Sequence, residues 1–198
     1  MDAFVTLRNN PMSARANQIA LDAANDVGTQ YYWASFMNAG AMYDWATGGL
    51  ALNLVGQSED HAICCFEYPM LLAARRGYLS KDDARQIIGA LMDSGFSAES
   101  FETTWTKVWN DWPDFLFSGT YWRPRRGDLV FYRSNTGIGG DTNHVVLSLG
   151  PDNADNIEVI SFGEGLQNPA QATVNRSTVN GLRQQGHSAV KYVAPPWY

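Results

Sequence analysis

Apolar residues recur at helical spacing through the first half of the chain and gather into short β-branched runs in the second. Between Ser13 and Asn25 the positions Ala16, Ile19, Ala20, Ala23 and Ala24 fall on one face, so the spacing predicts a helix capped by Ser13 and ending near Gly28. A second helix is expected from about Ala62 to Gly77, with Pro69 early enough to cost only a local kink and Gly77 closing it. A third opens at Ser80. Asp82 and Asp83 suit its first turn, and Ala84, Ile87, Ile88, Leu91 and Met92 form its buried stripe. Ser97 opens a fourth, whose apolar face holds Trp105, Val108 and Trp109. The small and aromatic residues from Tyr31 to Trp45 fit either helix or irregular structure.

The pattern changes after Pro113. Asp128 to Tyr132, His144 to Leu149, Glu158 to Phe162 and Ser188 to Val193 are apolar or β-branched runs bounded by Gly, Asn, Asp and Pro, which reads as strands. Turn formers crowd Gly150 to Asn156, so the second and third of these strands are expected to form an antiparallel hairpin. Helices first and strands afterwards give an α+β fold, with N-terminal helices packed on an antiparallel sheet. A chain of 198 residues, 45% of them hydrophobic, is long enough to bury a substantial core as one domain spanning 1–198.

The formal net charge of −6 gives no electrostatic support for nucleic acid or an anionic membrane surface. The basic cluster Arg123-Pro124-Arg125-Arg126 reads as a solvated loop before a strand. The N-terminal residues lack the pattern of a secretory signal, and no run approaches the ~20 apolar residues of a membrane span. Synthesis in the cytoplasm is therefore expected.

The candidate chemistry lies in two places. Cys64 and Cys65 are adjacent, a spacing poorly suited to a structural disulfide, and they stand at the start of the apolar helix. A thiol at a helix N-terminus meets unpaired backbone N–H groups and the positive end of the dipole, which lower its pKa. His144 opens an apolar strand after the glycine-rich stretch Gly137 to Gly140, where an imidazole can act as the partner of such a thiol. The reaction needs no cofactor. His61 and His187 have no companions at metal-ligand spacing, and no metal site is expected.

The order of these features resembles the NlpC-type cell-wall peptidases and the wider papain-like group that includes the CHAP amidases. The resemblance rests on Gly28-Thr29-Gln30-Tyr31-Tyr32-Trp33, the cysteine helix, Pro124-Arg125-Arg126-Gly127-Asp128-Leu129-Val130-Phe131, and His144-Val145-Val146-Leu147. It covers the chain from about residue 16 to 164, with a family-atypical insertion at about 34–60. Cys65-Phe66-Glu67, leading to Ala73-Ala74-Arg75-Arg76-Gly77, is similar to bacterial toxin and effector versions of the fold.

The resemblance implies Cys65 as nucleophile, with Cys64 behind it in the core, and His144 as its base. The residue orienting His144 is expected on the next strand. There Phe162 cannot accept a hydrogen bond, whereas Ser161, Glu164, a backbone carbonyl or a water can, and of these Ser161 is the residue expected to orient the imidazole. Glu67 is expected to point away from the thiol and to tie down a loop. Tyr31 would line the substrate cleft or, equally, fill the core. The implied function is a cysteine peptidase or amidase acting on peptidoglycan peptides. It would be an antibacterial effector delivered by a specialised apparatus such as a type VI secretion system into the target periplasm, with a cognate immunity protein and a secretion component as partners. Two alternatives stay open: a protease, deamidase or acyltransferase acting on host proteins or lipids, and a non-catalytic binding module on the same scaffold.

Overall fold

The computed structural model describes residues 11–34, 40–93, 124–134, 144–152, 156–163, 170–184 and 187–193, with 195 and 197. The expected helix from Ser97, the Gly137–Gly140 stretch and Glu164 lie outside the described residues.

Helix α1 (Pro11–Asn25) buries Ala16, Ile19, Ala20 and Ala23, the face predicted from spacing. It begins at Pro11, so Ser13 sits within the helix and not at its cap; proline suits a first turn, where its missing N–H would be unsatisfied anyway. Strand β1 (Gln30–Trp33) follows, then helix α2 (Ala41–Thr47), which turns Ala41, Met42, Trp45 and Ala46 inward. The segment read as an insertion is thus built into the core.

Helix α3 (Glu67–Arg75) is shorter than expected at its start. Pro69 has no N–H to offer the Cys65 carbonyl, so the first turn is closed by the Tyr68 N–H donating to the Cys64 carbonyl at 3.2 Å. That bond closes a turn from Cys64 to Tyr68 that leads into the helix, whose N-cap is Phe66. Helix α4 (Lys81–Asp93) opens on a reciprocal cap: the Asp83 N–H donates to Ser80 Oγ at 3.1 Å, and Ser80 Oγ donates to Asp83 Oδ2 at 2.7 Å.

The strand-rich half adds β2 (Leu129–Ser134), β3 (His144–Pro151), β4 (Ile157–Ser161), β5 (Ala170–Thr173), β6 (Asn175–Thr178), helix α5 (Val179–Gln184) and β7 (His187–Val193). Five strands form an antiparallel sheet in the order β6-β4-β3-β2-β7, and β1 pairs with β5 in a two-stranded sheet. The fold is mixed α+β with antiparallel sheets. The expected β3–β4 hairpin is present, and its connection is held by the Asn156 N–H donating to Asp152 Oδ1 at 2.8 Å.

Alternation along the strands sorts the sheet into two faces. Leu129, Phe131, Val145, Leu147, Leu149, Ile160 and Phe162 join the helices in the larger buried cluster. Val130, Tyr132, Val146, Ile157 and Val159 pack instead with Val179 and Leu182 of α5. No described helix is long and apolar enough to cross a membrane.

Candidate active site

The cysteine turn is pinned before the helix begins. The Ile63 N–H donates to the Tyr32 carbonyl at 3.0 Å, and the Ala34 N–H donates to the Ile63 carbonyl at 3.1 Å, so the end of β1 holds the residue preceding the cysteines. Cys64 is buried, whereas Cys65 keeps part of its surface at solvent; both are free thiols. Burial pushes Cys64 well above the usual thiol range, as expected of a core residue.

Cys65 is held among backbone donors. The backbone N–H groups of Val145, Phe66 and Cys65 itself lie near its sulfur and favour the thiolate. Burial nevertheless outweighs them and pushes the thiol up to about 11. The expectation of a thiol acidified by the helix end is corrected here. A first turn supplies donors, but desolvation of a sulfur lying against the sheet costs the anion more than those donors return.

His144 is placed by the turn that feeds β2. The Gly127 N–H donates to the Ser148 carbonyl and the Ser148 N–H donates to the Asp128 carbonyl, both at 2.8 Å, and the Asp128 carboxylate accepts the Arg125 N–H at 2.7 Å. This fixes the β2–β3 register that sets Tyr132 opposite His144. On the other side β3 carries a bulge between Ser148 and Gly150, where the Gly150 N–H donates to Ser148 Oγ at 3.0 Å. Beyond it Leu147 faces Ile160. Continuing that register sets Ser161 opposite Val146 and makes it a diagonal neighbour of His144 on the same face.

The two side chains meet there. His144 Nε2 and Ser161 Oγ share a buried hydrogen bond of 2.8 Å. When Nε2 carries the proton it donates to Ser161, and Nδ1 is left as the nitrogen able to accept one. Phe162, the next residue, turns the other way and stacks edge-on against Tyr31, centroids 5.9 Å apart.

The structure therefore brings the Cys65 sulfur to the backbone of Val145, one residue from His144, and joins His144 to Ser161. Strand alternation sends the side chains of residues 144 and 145 to opposite faces, and Cys65 lies on the Val145 side, packed against the helical cluster.

Tyr31 is buried. Its hydroxyl donates to Asp26 at 2.9 Å and accepts from Arg75 Nη1 at 2.8 Å, while Tyr68 donates to the same Asp26 at 3.0 Å. This network opens on a groove lined by Asp22, Asn25, Asp26, Leu72, Arg75 and Arg76 at the far end of α3. Ten residues at 1.5 Å rise place that end about 15 Å from Cys65 along the helix. Arg76 grips Asp22 there with two bonds of 2.6 Å, tying α3 to α1 and holding the Asp22 carboxyl below its ordinary range.

His61 Nδ1 bonds Ser58 Oγ at 3.0 Å, and no cluster of potential metal ligands occurs among the described residues. Two residues near the cysteines were not singled out as site residues by sequence. Glu67 is sealed beneath the cysteine turn, and Trp33 lays its indole on Gly163, next to the end of β4. No protein-family model, curated protein or solved structure matches the chain.

Proposed function

We propose that the chain is a papain-like cysteine hydrolase of the NlpC type that cleaves amide bonds in peptidoglycan peptides. The observation that carries this reading is the approach of Cys65 to β3 at Val145, one residue along the strand from the hydrogen-bonded pair of His144 and Ser161. The reading requires the His144 imidazole to turn from the face it shares with Ser161 toward the sulfur and to take the Cys65 proton as the thiol attacks the carbonyl carbon. The imidazole then returns that proton to the departing amine, and water hydrolyses the acyl-enzyme to restore the thiol. The N–H groups around the sulfur supply donors for negative charge developing at the attacked carbonyl. Ser161 keeps the imidazole in one tautomer.

The toxin-like Cys65-Phe66-Glu67 helix supports an antibacterial effector delivered to the periplasm of a target cell, paired with an immunity protein in the producer. Expression in the bacterial cytoplasm, compared with expression behind an export signal, tests the target. Lysis only after export, abolished by Cys65→Ala, supports a cell-wall substrate; toxicity confined to the cytoplasm refutes it and favours a protein or lipid substrate.

A second reading is a non-catalytic binding module on this scaffold. The Cys65 thiol pushed up to about 11 and the alternation that turns residue 144 from the Val145 face favour it. Alkylation of Cys65 at equal rates in the native chain and in His144→Ala would decide for it.

A further inference from the structure

Glu67 is 1% exposed, a carboxylate buried where an unbonded charge is costly, and the hydrolytic chemistry proposed above does not use it. Its two oxygens serve two separate segments. Oε2 accepts the Cys64 N–H at 3.1 Å, reaching back three residues as the acid of a capping box does. Oε1 accepts the Met42 N–H at 3.2 Å, in the first turn of α2. One side chain thus joins the segment read as an insertion to the turn carrying Cys65. The titratable groups acting with it are Asp44 from α2 and the thiols of Cys64 and Cys65 from its own turn.

We propose that Glu67 is a positioning residue whose carboxylate clamps α2 to the Cys64–Cys65 turn and couples the reactivity of the Cys65 thiol to its own ionisation. Both N–H donors need an acceptor, and the ionised carboxylate offers a strong one to each. Protonation turns one of those oxygens into a hydroxyl, a weaker acceptor, and loosens that bond. The same charge adds to burial in disfavouring the neighbouring thiolate, so ionised Glu67 secures the turn and makes the Cys65 thiolate harder to form. Burial raises the carboxyl to about 7, which sets the exchange between these states near neutral pH. The consequence for hydrolysis rests on Cys65 being the nucleophile; the clamp and its effect on the thiol do not.

The test is alkylation of the full chain by iodoacetamide between pH 5.5 and 9, read at Cys65 by peptide mass spectrometry, for the native chain and Glu67→Gln. The glutamine keeps the shape but offers one acceptor and turns an NH2 toward the second donor. In the native chain the logarithm of the rate bends to a shallower slope near pH 7. Glu67→Gln gives a single slope of about one decade per pH unit and runs about three- to tenfold faster above pH 7.5. Peptidoglycan turnover falls about tenfold in the same variant as the turn loosens, opposite in sign to its thiol reactivity. Superimposed profiles, or parallel profiles differing only by an offset, overturn the proposal. If Glu67→Gln does not fold, the native profile decides alone, and a straight line overturns it. If the native chain cleaves no peptidoglycan, the proposed function fails while the bend still establishes the coupling.

Discussion

Gly163 joins the end of β4 to Trp33, and replacing it with alanine perturbs both. Its φ is +77°, in the left-handed region where a side chain costs about 1–2 kcal/mol. A Cβ there would land on Nε1 and Cδ1 of the Trp33 indole, with Cε2 at 2.8 Å, and forcing an atom into a packed site costs about 1–3 kcal/mol more. Gly163→Ala should therefore lose about 2–5 kcal/mol, or about 4–20 °C in Tm for a chain of this size. Urea unfolding followed by circular dichroism measures it, provided the m-value is unchanged. The two contributions separate in a Trp33→Ala background, which removes the overlap and keeps the backbone strain. There the glycine replacement should cost only about 1–2 kcal/mol, leaving a coupling of about 1–3 kcal/mol. A loss below about 0.5 kcal/mol, or the same loss in both backgrounds, refutes the packing described here.

Ser161→Ala leaves His144 Nε2 without this buried partner, so peptidoglycan turnover should fall about 10- to 100-fold with little change in KM, as steady-state kinetics will show. Tyr31→Phe removes a hydroxyl bonded to both Asp26 and Arg75 and should cost about 1–3 kcal/mol in chemical denaturation. The pH dependence of stability has a definite sign at Glu67. Because the desolvation of the charge outweighs the two N–H bonds that ionised Glu67 accepts and raises its carboxyl from 4.5 to about 7, the folded state holds the extra proton, and stability falls by on the order of 3 kcal/mol as pH rises through that window. Melting curves across pH 4–8 should show this slope in the native chain and lose it in Glu67→Gln.

The sequence pattern reads best where burial alone sets structure. The Ala16–Ala23 face of α1 and the apolar runs of β2, β3 and β4 were legible because each turns a periodic apolar set to one core. Ser161 was found as the partner of His144 for a similar reason: it is the hydroxyl that the hairpin register turns to that face, while Phe162 alternates into the aromatic core. Strands β5, Ala-Gln-Ala-Thr, and β6, Asn-Arg-Ser-Thr, carry no such pattern, and their partners β1 and β4 make them strands through distant backbone pairing. The acidity expected of Cys65 failed because its desolvation by β3 is a tertiary effect invisible in the helix sequence. Glu67 had a usable signal, since a carboxylate three residues after Cys64 has the spacing at which a side chain reaches back to a backbone N–H, as in a capping box. Its second bond, to Met42, is set by how α2 docks and had none.

The central claim is that Cys65 and His144 together cleave an amide bond. Digestion of purified peptidoglycan by the purified chain, followed by mass analysis of the soluble fragments, tests it most directly. The account predicts fragments cut within or at the base of the stem peptide, each gaining one water across the broken amide, with none from Cys65→Ala and at least 100-fold less from His144→Ala. Intact peptidoglycan after digestion by the native chain, or the same fragments in undiminished yield from Cys65→Ala, would contradict it.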